Sequence, residues 1–162
     1  MENFVKIAEG LEVGPALAEI ARASDYWIHV NADPLQFIML ISGPFERQLE
    51  AELPESWRLI DQVLAILAAD PDHKGALRSA RIGRIPPGAF MPVHQDGIDG
   101  ISWRRYQIAL QSEPGVLFTV DGEARRFLPG ECWQFHAGRM HMVQNDSEAD
   151  RITILIDTIA QG

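Results

Sequence analysis

The sequence predicts a mainly β protein with N-terminal helices, folded as a double-stranded β-helix, the jelly roll of cupin-like proteins. Three observations predict it. After about residue 78, eight short segments rich in β-branched and aromatic residues recur between turn signals. Before that point, two stretches carry helical rather than alternating periodicity. The 162 residues, 46% hydrophobic and 23% charged, fit one domain (1–162) with a single sizeable core. Within it, residues 1–78 read as a helix-rich support region and 79–158 as the jelly-roll core.

The elements follow in order. "GPALAEIARAS" sets Leu17 and Ile20 on one helical face, with Pro15 in the first turn, where proline is tolerated. "YWIHV" and "QFIMLIS" have strand composition. "SWRLIDQVLAILAAD" spaces Ile60, Val63, Leu64 and Leu67 helically, with Ser56 as the expected cap and Pro71 as the stop. The strands expected beyond it are "SARIGRI", "FMPVHQ", "RRYQIALQ", "VLFTV", "EARRFL", "CWQFH", "MHMVQN" and "DRITILIDT". Asp121-Gly122 suits a two-residue type I′ hairpin, and Pro87-Gly88 and Pro129-Gly130 mark two more turns.

Charge and cysteine content exclude several function classes. A net charge of −9, with Arg104-Arg105 and Arg125-Arg126 as the only adjacent basic pairs, gives no basic face for nucleic acid. The single Cys132 excludes an internal disulfide framework and suits a reducing cytoplasm. "MENFVKIAEGLEVG" has neither the basic nor the apolar region of a signal peptide, and no apolar run approaches a membrane span. The expectation is a cytoplasmic protein without nucleic-acid or membrane partners.

"MPVHQDG" supplies the chemistry. His94 and Asp96 are two metal-capable side chains two positions apart, and such a pair ordinarily needs another imidazole. His73 lies in the polar loop "ADPDHKG" and reads as solvated, and His29 reads as a hydrogen-bonded strand residue. His136 and His141 flank "AGRM", so either or both can reach a site built by strands. Ten residues beyond His141, Arg151 shares a strand face with Thr153, Leu155 and Asp157, while Ile152, Ile154 and Ile156 take the other. Arg105, Gln107 and Ala109 likewise oppose Tyr106, Ile108 and Leu110. An arginine directed into a barrel needs an anion, and a dicarboxylate ligand would answer both arginines. Asp99 reads as a loop residue, His136 as a core or supporting histidine, and Cys132 as a buried inert thiol. Trp27, Trp103 and Trp133 are either pocket-lining or packing residues.

Taken together, His94-x-Asp96, His141 and Arg151 resemble the iron(II)- and 2-oxoglutarate-dependent dioxygenases, most closely the aspartyl/asparaginyl β-hydroxylase-like branch. The resemblance runs from about Ala80 to Asp157, through "RIGRIPPGAFMPVHQDG", "RYQIAL", "LPGECWQFHAGRMHMVQN" and "RITILID". It implies an iron(II) triad of His94, Asp96 and His141, and Arg151 on the far carboxylate of 2-oxoglutarate; Thr153, on the same strand face as Arg151, is either a further hydroxyl donor to that carboxylate or a packing residue. Arg105 would fall near the other carboxylate or the metal-proximal wall, and Gln107 stands where the family frequently has histidine. Members named for aspartyl hydroxylation often lack the acidic ligand, so Asp96 turns the expected substrate toward relatives with a full triad. The implied reaction is hydroxylation of an unactivated C–H bond in an amino-acid-like or peptidyl substrate, with dioxygen as co-reactant. Two rivals are a cupin-like metalloenzyme that ignores 2-oxoglutarate, and a non-catalytic barrel acting as a ligand sensor.

Overall fold

Alternation in the second half of the chain produces two sheets whose facing sides differ in chemistry. The computed structural model describes residues 1–29 and 34–161. The first half contains β1 (Phe4–Ala8), α1 (Gly14–Ala21), a single 3-10 turn (Ser24–Tyr26), β2 (Ile28–His29) and β3 (Gln36–Met39). After these come β4 (Ile41–Ser42), β5 (Glu46–Arg47) and α2 (Pro54–Ala68). The second half contains β6 (Gly75–Ile85), β7 (Phe90–His94), β8 (Trp103–Gln111), β9 (Val116–Val120) and β10 (Glu123–Arg125). It closes with β11 (Cys132–Phe135), β12 (His141–Asn145) and β13 (Arg151–Ala160).

The large sheet runs β1-β11-β8-β13-β6-β3-β2 and the small one β10-β9-β12-β7, all pairs antiparallel, with β4 and β5 as a separate hairpin. This is the jelly roll expected from the strand pattern. The large sheet is covered on both sides. Its outer face presents Ile82, Tyr106, Ile108, Cys132, Ile154 and Ile156 to α1 and α2. Its inner face meets the small sheet through Ala109, Trp133, Phe135, Phe118 and Val143. Double coverage explains why β13 is buried from Arg151 to Thr158 although Arg151, Thr153, Asp157 and Thr158 are polar or charged.

Several boundaries differ from the sequence reading, each for a local reason. Phe4–Ala8 was not expected as a strand, because five residues with two polar neighbours carry no signal until β11 offers an edge. "EARRFL" is a strand only through Arg125, and "QFIMLIS" breaks at Leu40, whose amide turns to Ala80 O. Val30 of "YWIHV" lies outside the described residues, and within them the strand is Ile28–His29. α1 ends at Ala21, short of the expected serine. α2 begins at Pro54, and Ser56 does not cap it. The Glu19 carboxylate of α1 accepts the Glu55 and Ser56 amides at 3.0 and 2.5 Å instead. His73 is half-buried rather than solvated, since β6 starts two residues later and brings it within 3.1 Å of the Tyr106 hydroxyl. The Asp121-Gly122 turn joins β9 to β10, and both residues have positive φ, as a type I′ hairpin requires.

Candidate functional site

The order of the small sheet decides which histidine completes the cluster. β12 lies between β9 and β7, and His141 pairs directly across from His94. The two rings stand 4.2 Å apart between centroids. Asp96 follows β7 by two residues, and its amide donates to Ala137 O at 2.9 Å, which ties the loop to the turn before β12. One ligand atom from each of His94, Asp96 and His141 lies within 4.8 Å of the others. His136 belongs to the turn and sits against Gly100, away from this cluster.

Hydrogen bonds orient the imidazoles. His94 Nδ1 donates to Pro92 O at 2.7 Å and His141 Nδ1 to Arg139 O at 2.8 Å. A carbonyl can only accept, so each ring carries its proton on Nδ1 and turns an Nε2 lone pair inward. Those atoms face Asp96 Oδ2 at 3.9 and 3.4 Å. When both imidazoles are neutral, three lone-pair donors converge on one point, an arrangement that a cation relieves. Phe118 stacks on the His141 ring and Phe135 meets it edge-on, so the deeper ligand is held by packing as well.

The pocket behind this cluster lies between the sheets. Its wall includes all seven residues singled out in the sequence: His94, Asp96, His141, Arg105, Gln107, Arg151 and Thr153. Arg151 is 5% exposed. It donates to Gln107 Oε1 at 2.7 Å and lies 5.6 Å from the Phe118 ring, and among the described residues it has no carboxylate partner. Burial pulls its pKa down to about 10, so it remains a cation at neutral pH. Arg105 is differently placed. Nε and one terminal nitrogen donate to the two oxygens of Asp157 at 2.7 and 2.8 Å, and the other donates to Asp96 Oδ2 at 2.6 Å. Burial pushes the Asp96 carboxyl up, but the His141 contact and the Arg105 charge outweigh it and hold it at about 2.

Sequence reading passed over two residues here. Arg81 lines the same pocket and, among the described residues, makes no hydrogen bond or ion pair. Burial and the nearby Arg105 charge lower its pKa. The signal was available, because Arg81, Gly83 and Ile85 alternate with Ala80 and Ile82 just as Arg151 alternates with isoleucines. Asp157 had been placed on the inner face without a role, since only the β13–β8 register brings it opposite Arg105. Trp27, Trp103 and Trp133 do not line the pocket. Its aromatic wall is Phe37, Phe118 and Phe135.

A sequence model of the aspartyl/asparaginyl β-hydroxylase family matches residues 20–161, which include every residue of the pocket wall. No curated protein matches the sequence. Among solved structures, AviO1 from Streptomyces viridochromogenes superposes with a TM-score of 0.71 at 14% identity, covering 99% of this chain and 91% of its own. The viral collagen prolyl hydroxylase vCPH from Paramecium Bursaria Chlorella virus-1, solved as a 2OG complex, gives 0.65 at 14% identity, with 99% and 97% covered. A Pseudomonas putida prolyl-4-hydroxylase gives 0.64 at 16% identity, with 100% and 95% covered. At such identities the likeness is one of fold, and it agrees with the jelly roll described above. The sequence match carries the assignment: the chain belongs to the aspartyl/asparaginyl β-hydroxylase family and is an enzyme of that class.

Proposed function

We propose that the protein is an iron(II)- and 2-oxoglutarate-dependent oxygenase that hydroxylates an unactivated C–H bond of an amino-acid-like or peptidyl substrate. One observation carries the reading: a buried arginine with no carboxylate partner among the described residues shares a pocket with a His-Asp-His cluster. Structural arginines at this depth are normally neutralised, because an unpaired buried charge costs several kcal/mol or more. A dianionic cosubstrate bound in this pocket would account for both features.

The donor set suits the metal. Two neutral imidazoles and one carboxylate favour iron(II) and leave positions open for other ligands. With 2-oxoglutarate and dioxygen, bound iron(II) supplies the oxidising power that no side chain can. The chain's own residues bind and orient. His94, Asp96 and His141 would hold the metal, and the carbonyls of Pro92 and Arg139 keep both imidazoles in the ligating tautomer. Arg151 would hold the far carboxylate through its planar fork, Thr153 would add a hydroxyl, and Gln107 would offer its amide NH2 as a donor. Leu35, Phe37, Phe118 and Val143 form part of the apolar pocket wall. Arg81, on the same wall and without an ion-pair partner among the described residues, favours a substrate with an anionic group, as an amino acid or a peptide terminus has.

The test is the 2-oxoglutarate dissociation constant of iron-loaded protein without substrate. Arg151→Leu should weaken it by about 2–5 kcal/mol, the usual loss when one partner of a buried charge pair is removed. Metal binding should survive. Without metal or cosubstrate, Arg151→Met should unfold no more easily than wild type, because an apolar group replaces a charge that has no counter-ion among the described residues. Equal cosubstrate affinities in wild type and Arg151→Leu would return the protein to the plain cupin reading.

A further inference from the structure

We propose that Asp157 and Arg105 are positioning residues for the metal site, acting through Asp96, and that Arg105 is not a cosubstrate ligand. The inference rests on the metal-site reading above and deepens it. Asp157 and Arg105 are cross-strand partners in the β13–β8 ladder, so the register of the large sheet sets their two-pronged contact. Asp157 is 3% exposed. The third arm of Arg105 crosses from the large sheet to Asp96 on the loop after β7 of the small sheet. A carboxylate on an exposed-sided loop thereby gains the precision of two strands.

The charge balance explains why an acid is needed behind the arginine. Asp157 neutralises Arg105, so the negative charge of Asp96 is not consumed by the arginine and remains for the metal. Oδ2 accepts the Arg105 N–H with one lone pair and keeps the other, facing the two Nε2 atoms. With Asp157 uncharged, Arg105 would have Asp96 as its one counter-ion and would compete with the cation for it. A purely structural pair would need only the two Asp157 contacts. The third bond, to a metal-capable carboxylate, gives the pair a purpose beyond packing. The same three bonds occupy Arg105 and remove it from the set available to a cosubstrate carboxylate.

The experiment titrates protein free of other metals with Co(II) alone, with no 2-oxoglutarate, and follows its visible d–d bands. Wild-type binding supports the metal-site reading, and its failure would overturn that reading and this inference together. Asp157→Asn should weaken Co(II) binding by about tenfold or more and shift the bands, as loss of a partner behind a metal ligand does. Asp157→Glu should recover most of the affinity. If Asp157→Asn does not fold, Arg105→Met combined with Asp157→Leu removes the pair without leaving a buried charge, and should also lose about tenfold in affinity. A variant that is folded, binds Co(II) like wild type and keeps the wild-type bands would show a merely structural ion pair and sink the inference, while leaving the metal-site reading intact.

Discussion

Asp96 is the residue at which opposing effects are most closely balanced. Burial alone would favour its neutral form, yet the His141 contact and the Arg105 charge keep it ionised down to about 2. Its unfolded counterpart titrates near 3.9. The folded value is therefore depressed, so the contribution to stability is fully present above the unfolded value and is lost as pH falls through about 2. Urea unfolding of metal-free protein between pH 5 and pH 2 measures it. Wild type should lose stability relative to Asp96→Asn across that range, and parallel curves would mean that Asp96 gains nothing from its cationic neighbours. Arg151 illustrates the opposite balance, a buried charge kept without a compensating acid, and residues that work against stability in this way concentrate where function requires them.

Among the elements, the contact between the two helices matters most for how the large sheet is covered. α2 opens with Pro54, which has no amide hydrogen to satisfy, but the following amides need acceptors. Glu19 of α1, itself buried, accepts two of them and places a negative charge at the positive end of α2. Glu19→Ala should cost about 1–3 kcal/mol, the penalty for leaving buried donors unsatisfied. Thermal unfolding checks it, with a fall in Tm of about 2–4 °C per kcal/mol for a domain of this size. A change in Tm within error would show that water replaces the carboxylate. The strands obey a different logic. Ladder register alone turns separate alternating segments into rows, so that Arg81, Leu155, Gln107 and Trp133 lie side by side, as do Ser79, Asp157, Arg105 and Phe135.

At the scale of the whole molecule, helices, large sheet and small sheet form three layers, and Cys132 lies between the first two. Burial alone pushes its thiol up to about 12. β11, which carries it, is flanked by β1 and β8, so it is not an edge strand. Native protein at pH 8 should therefore resist a thiol-specific reagent that urea-unfolded protein consumes at once, because the reactive species is the thiolate and it must first be exposed. Rapid labelling of native protein would mean that the helical layer detaches from the sheet on its own. Among the described residues, no helix is long and apolar enough to cross a membrane.

Periodicity by itself determined the mainly β class, both helices, the Asp-Gly hairpin and the two arginine-bearing strand faces, because alternation and turn chemistry are local properties of the chain. The spacing of His94, Asp96, His141 and Arg151 was also legible, since residues near strand ends keep their offsets when strands fold. Tertiary structure alone decided what lies beyond local reach. The meeting of His141 with His94 depended on β12 pairing with β7, and the strand at Phe4–Ala8 depended on an open edge of β11. Capping of α2 came from a glutamate 36 residues earlier in the chain, not from the serine beside it. Asp157 and Arg105, 52 residues apart, meet because long-range ladder register brings them opposite each other. Pairings of that kind arise from packing and charge compensation between distant segments, and a local pattern in the sequence carries no trace of them.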